Sequence, residues 1–365
     1  MSDYRAKVQE LLTTARGRGD GDVALLQEAA NLADLLGDPA LGIRVRIRLI
    51  SAANWSGNYE QVIVAFSWCL AKIDQLPEQL AGHERSLLWY YKWVQNSLCE
   101  YSQVSREQIE TSFIDMEKRY LRAGLGMQPI DQCRAYVYIR LGDIEAHRAA
   151  RSRLVLSGRS AGSDCLACQT NDAVHFDLET GDLAAAVQTA GPILEGRQAC
   201  TEVPCITYGM LLLPLLKLGR MDEADKIQLQ GNRQARSGRD MVITASEHCA
   251  YLALAGKFSR AISIFETAIV WFYDVKRTWE RMMFLQSAMV LFEQLAAGRD
   301  KPIKLRIPES AAFFNADSSY VPSTVLRSMK QTHDGLLAEM NRRNGNDYLS
   351  QRHQRFRELV AAAAT

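Results

Sequence analysis

Three glycines set the frame of this chain. In ETGDLAAAV, KLGRMDEAD and LAGKFSRAI, Gly181, Gly219 and Gly256 follow one another at intervals of 38 and 37 residues. Each closes an apolar helical stretch, and each is followed five residues later by an alanine: Ala186, Ala224 or Ala261. Gly57 in WSGNYEQVI repeats the cadence with Val62 in the alanine position, and Gly142 in RLGDIEAHRA, 39 residues before Gly181, is a looser copy. A glycine reaches positive φ without a Cβ penalty and so ends one helix, while the polar residue after it helps to start the next. The small residue on the second helix lets the pair approach closely. A unit of this length cannot bury its apolar face alone, so successive units stack on one another. The pattern predicts an all-α fold, a right-handed superhelical array of helix-turn-helix repeats.

The rest of the chain agrees with helices. VRIRLI, from Val45 to Ile50, alternates like a strand but sits inside a longer helical pattern and is read as helix. Ser105 and Gln108 have the spacing of a capping box and should open a helix that runs to about Arg122. Residues 299–322 break the periodicity and carry three prolines, Pro302, Pro308 and Pro322. They read as an extended loop that covers one face of the array. Leu326, Met329, His333, Leu336, Leu337 and Met340 then mark an amphipathic helix that RRNGND ends, and a last helix starts near Tyr348. The organisation expected is a repeat array over residues 1–298, the covering loop, and capping helices over residues 323–365.

Charge narrows the classes of partner. The 365 residues hold 43 Lys and Arg against 42 Asp and Glu, for a net charge of +1, which provides no long-range field for nucleic acid or anionic lipid. The basic trio Arg352, Arg355 and Arg357 reads as a solvated helix face. MSDYRAKVQELL lacks the apolar core of a signal peptide, and the densest apolar run, GMLLLPLLKLG, is interrupted by Pro214 and is far short of the roughly 20 residues that span a bilayer. No nucleic-acid or membrane partner is therefore expected. The expected location is a reducing cytoplasm, where thiols stay available as ligands. The six histidines are scattered, at 83, 147, 175, 248, 333 and 353, and no H-E-x-x-H, G-x-S-x-G or G-x-x-x-x-G-K-[ST] occurs.

Chemistry concentrates in four of the eight cysteines. Cys165 and Cys168 in DCLACQTND, with Cys200 and Cys205 in CTEVPC, give C-x2-C-x31-C-x4-C. Two short-spaced pairs one repeat apart suit a tetrahedral zinc, because each pair supplies two soft ligands from one local segment. Cys168 lies 13 residues before Gly181 and Cys205 lies 14 before Gly219, so both fall at similar heights on the first helices of consecutive repeats. Cys165 should sit at the N-terminal end of its helix, and Cys200 in the loop before Pro204. Three alternatives stand beside structural zinc. The thiols are independent core residues, or they form a reversible dithiol, or only three are ligands and His175, Asp164 or water takes the fourth position. Cys69, Cys99, Cys133 and Cys249 stand alone in apolar helical contexts and read as core.

Aromatic residues give a second, weaker lead. LLWYYKWVQ packs Trp89, Tyr90, Tyr91 and Trp93 into five positions of what reads as one repeat helix, and VWFYDVKRTW, ending at Trp279, is comparable. Such clusters either fill inter-helix space or anchor a bound peptide; packing is the expected role.

From Gly142 to about Trp271 the chain resembles a group of bacterial tetratricopeptide-repeat-like proteins of largely uncharacterised function. DCLAC, GPILEGRQACTEVP and LLLPLLKLGRMDEAD carry this likeness in order and spacing, and it thins before Gly142 and after Pro308. The resemblance implies a repeat scaffold and supplies no reaction. The function expected is a non-enzymatic protein-interaction scaffold that takes a protein or peptide partner in a concave groove, with zinc joining two adjacent repeats. The alternatives are a thiol-based or peptide-responsive sensor on the same array, and a zinc enzyme with an open coordination position.

Overall fold

The computed structural model describes residues 2–16 and 19–363. Among them the chain is all-α apart from one two-residue strand pair. It divides into two compact units. One comprises Met1–Cys99, Val104–Val137 and Glu145–Ser163; the other comprises Glu100–Gln103, Tyr138–Ile144 and Asp164–Thr365. The second unit thus takes in residues 299–322 and both C-terminal helices together with the hairpins before them.

The glycine cadence is a cadence of one turn type. After the helix Cys205–Lys217, Gly219 lies at φ 72°, its N–H donates to the Leu216 carbonyl, and the Arg220 N–H donates to the Leu215 carbonyl. This pair of bonds is a Schellman motif with glycine at C′. The same two bonds recur at Gly57, Gly142, Gly181 and Gly256. The second helix of each pair then approaches closely, and Val62, Ala186, Ala224 and Ala261 are fully buried. The polar residue after the glycine does less than expected. Asp182 caps its helix through the Ala185 N–H, but Asn58, Arg220 and Lys257 make no side-chain cap. Gly37, Gly124 and Gly196 form the same turn outside the cadence, so the turn alone does not define a repeat.

In the second unit each first helix packs on its own partner and on the first helix of the next pair. Leu166–Glu179 packs on Leu183–Thr189 and Cys205–Lys217; Cys205–Lys217 packs on Met221–Gly231 and Val242–Leu254. Val242–Leu254 in turn packs on Phe258–Asp274 and on the long helix Thr278–Arg299. The C-terminal helix Pro322–Asn344 lies on Thr278–Arg299, and Tyr348–Ala363 touches Pro322–Asn344 and Cys205–Lys217. One continuous apolar core runs from Val174 to Val360. The irregular segment contributes Leu305, Ile307, Ala311 and Tyr320 to that core and pairs Ile303–Lys304 with Ser319–Tyr320 as antiparallel strands, a hairpin that the sequence pattern does not show. Gly345, at φ 70°, ends the first C-terminal helix as RRNGND indicates.

The basic trio is not simply a solvated face. Arg352 Nε donates to Glu179 at 2.7 Å and Arg357 donates to Glu293 at 2.8 Å, within this unit. Burial alone would raise the Glu179 carboxyl, but Arg352 and His175 outweigh it and hold the group down at about 2.

The first unit is built from helices between Ser2 and Leu156. Ser105 and Gln108 form both halves of the expected capping box, and the helix they open is Arg106–Arg122. The stretch read as VRIRLI lies in the helix Pro39–Asn54. The aromatic cluster departs from expectation, because the helix stops at Leu88 and restarts at Tyr91. Its rings mostly pack. Trp93 meets Trp55 and Tyr90 edge-on, Tyr91 is buried against Phe66, and the buried Lys92 ammonium sits 3.6 Å from the Trp89 ring centre.

Candidate metal centre

Three of the four singled-out cysteines come together. Cys165 is the N-cap of the helix Leu166–Glu179, with extended backbone at φ −65° and ψ 161°, and Cys168 falls in the first turn. That spacing turns both side chains toward the open end of the helix, where backbone N–H groups lack intrahelical partners. Cys200 arrives from the loop after the short helix Gly191–Leu194, and its N–H donates to the Val203 carbonyl at 2.9 Å. Ala167, Ile193 and Val203, with Ile206 beside them, form a small buried apolar knot. The residues next to the thiols thus tie the loop to the helix.

The sulfurs of Cys165, Cys168 and Cys200 all lie within 4.8 Å of one another, and those of Cys168 and Cys200 are 3.5 Å apart. A zinc–sulfur bond of about 2.3 Å places two tetrahedral ligands about 3.8 Å from each other, so the spacing suits a thiolate-bound ion. Cys165 and Cys200 are exposed and Cys168 is half-buried. Burial pushes the Cys165 thiol up. The amides of Cys168 and Ala167 and the two neighbouring thiols outweigh that push and leave it below its ordinary value, although no full cap hydrogen bond closes. Burial, followed by the proximity of Cys200 and Cys165, raises the Cys168 thiol. A cation among the three sulfurs would favour the thiolate at each. Two buried side-chain atoms without hydrogen bonds, Gln169 Nε2 and Gln198 Oε1, belong to residues one and two positions from this group in sequence.

Cys205 does not join them. As the first residue of Cys205–Lys217 it turns inward, packs with Ala235 and Met241, and donates to the Gly231 carbonyl at 3.6 Å. Burial pushes its thiol up to about 12. The expected quartet is therefore a trio. His175 stands 3.6 Å from the Glu179 carboxylate, and neither it nor Asp164 belongs to the sulfur group among the described residues. Cys69, Cys99, Cys133 and Cys249 are buried, as expected of core residues.

Sequence reasoning missed the buried polar groups of the same unit. The guanidinium groups of Arg140 and Arg352 lie 4.9 and 5.2 Å from the Trp279 ring centre. Glu100 accepts from Arg277 at 2.6 Å, and Arg277 also pairs with Glu280. Glu247 faces Gly209, where an added Cβ would overlap its carboxylate, and burial raises its carboxyl to about 8. Its neighbour His248 is buried beside Gly231 and lowered to about 4, again mainly by burial. Gly209 and Gly231 were the available signals, glycines inside helices that mark a close approach.

The chain matches no protein-family model, and no curated protein matches it. No helix among the described residues is long and apolar enough to cross a membrane.

Proposed function

We propose that the chain is a non-enzymatic interaction scaffold of tetratricopeptide-like helical pairs, in which Cys165, Cys168 and Cys200 hold a zinc ion that ties one helical pair to the segment leading into the next. The observation that carries the metal reading is the meeting of three sulfurs within 4.8 Å from two separate segments. A soft, all-thiolate donor set selects zinc or another thiophilic ion over magnesium or calcium. The scaffold reading is supported by the serial packing of first helices, an arrangement that elsewhere presents a continuous surface to a peptide or a partner helix. In this reading the ion fixes the loop around Cys200 against the helix N-terminus and so fixes the spacing of the two neighbouring pairs.

The test is metal quantification on purified protein alongside thermal unfolding. Wild type is expected to carry one zinc per chain. Cys168→Ser is expected to lose the metal and to unfold at a lower temperature, and stripping wild type with a chelator should reproduce that shift. Full thermal stability in stripped protein would reject a structural role. Affinity capture with a zinc-loaded and a Cys168→Ser bait then asks whether partner binding depends on the ion.

A further inference from the structure

We propose that Cys168 and Cys200 form a reversible disulfide, and that this bond and a metal ion compete for the same sulfurs. The proposal rests on the metal-centre reading only for the competition; the disulfide follows from the geometry of the two thiols. Their sulfurs are 3.5 Å apart, although 32 residues separate them in the chain. Cys200 is exposed and lies on a loop, so closing the remaining distance asks for a rotation at one side chain rather than movement of a packed helix. The cross-link would join the same two segments that the ion joins. The protein would then have two interchangeable clasps, one held by metal and one by oxidation.

The oxidant is a peroxide. One S–H bond breaks at each cysteine and one S–S bond forms between them. The two electrons released cleave the O–O bond of hydrogen peroxide, and its oxygens leave with the thiol protons as two molecules of water. A dithiol reductant reverses the step by exchange through a mixed disulfide. In the zinc-loaded protein the two sulfurs would be thiolates, so two metal–sulfur bonds would break in place of the S–H bonds, solvent would supply the two protons that complete the waters, and the ion would leave.

The experiment treats metal-stripped and zinc-loaded full-length protein with hydrogen peroxide, counts free thiols, maps cross-linked peptides by mass spectrometry and follows released zinc with a chromogenic chelator. The expected result is one cross-link between the peptides bearing Cys168 and Cys200, loss of two thiols, recovery on reduction, and zinc release in step with the cross-link. Cys200→Ser should lose the cross-link while keeping the wild-type circular dichroism spectrum, and Cys165→Ser should retain it. The proposal is overturned if stripped protein gives no such cross-link, or if Cys165 and Cys168 pair instead. Failure of the two readings is distinguishable. A cross-link in a protein that never binds zinc sinks the metal centre and leaves the disulfide standing, whereas zinc binding without a cross-link does the reverse.

Discussion

The second unit holds two kinds of polar site, and they differ in their access to water. At the N-terminal end of Leu166–Glu179 three thiols gather, and two of them reach solvent. Cys205, which opens Cys205–Lys217, and Glu247 and His248, on Val242–Leu254, are set among packed side chains, each pushed mainly by burial toward its neutral form. Residue type does not separate the two groups, since Cys200 and Cys205 are four residues from being adjacent and have opposite surroundings. What separates them is whether a charge can be stabilised. Clustered donors near water can share a cation, whereas for each of these packed groups desolvation is the largest influence.

The largest expected effect would break this contrast outright. Cys168→Ser should abolish stoichiometric metal binding, while Cys205→Ser should leave the metal content at the wild-type level. Equal loss in both variants, read by metal analysis on folded protein, would restore the four-ligand arrangement. Next comes the acidic group. The folded-state carboxyl of Glu247 lies near 8 against an ordinary 4.5, so ionisation disfavours the fold. Stability is therefore expected to fall as pH rises from about 4.5 to 8 and to level off above, and Glu247→Gln should remove that slope, a gain on the order of 1–3 kcal/mol at pH 8. Denaturant midpoints for the two proteins at pH 5 and 8 check it; parallel pH profiles would count against it.

A smaller effect sharpens the contrast among thiols. Burial pushes Cys205 and Cys249 up to about 12, so at pH 8 almost no thiolate exists at either. Iodoacetamide should modify Cys165 and Cys200 of stripped, folded protein well before these two, with peptide mapping as the readout. Comparable labelling of Cys205 and Cys200 would show that the two environments are not distinct. Smallest of all, Gly219→Ala places a Cβ at φ 72° and should cost about 1 kcal/mol in a chemical melt without altering metal content, because the turn follows the C-terminal end of Cys205–Lys217 and none of the three thiols belongs to it.

Local chemistry was readable and tertiary direction was not. The glycine turns, the Ser105 box, the end of the C-terminal helix at Gly345 and the N-cap position of Cys165 depend on a few neighbouring residues, and the sequence pattern places each of them. The inward turn of Cys205 depends on Gly231, far along the chain, so spacing within CTEVPC could not reveal it. The break between Leu88 and Tyr91 falls at Trp89 and Tyr90, and no glycine or proline marks it. The strand pair at Ile303 and Tyr320 is two residues long on each side, too short to leave an alternating pattern.

Placing a cysteine at an N-cap has a practical corollary. The amides of Ala167 and Cys168 act on the Cys165 thiol, so their chemical shifts should report on what that sulfur is bonded to. A protein labelled with nitrogen-15 would thus carry its own gauge of ligation, readable in two cross-peaks without any added dye or reporter group.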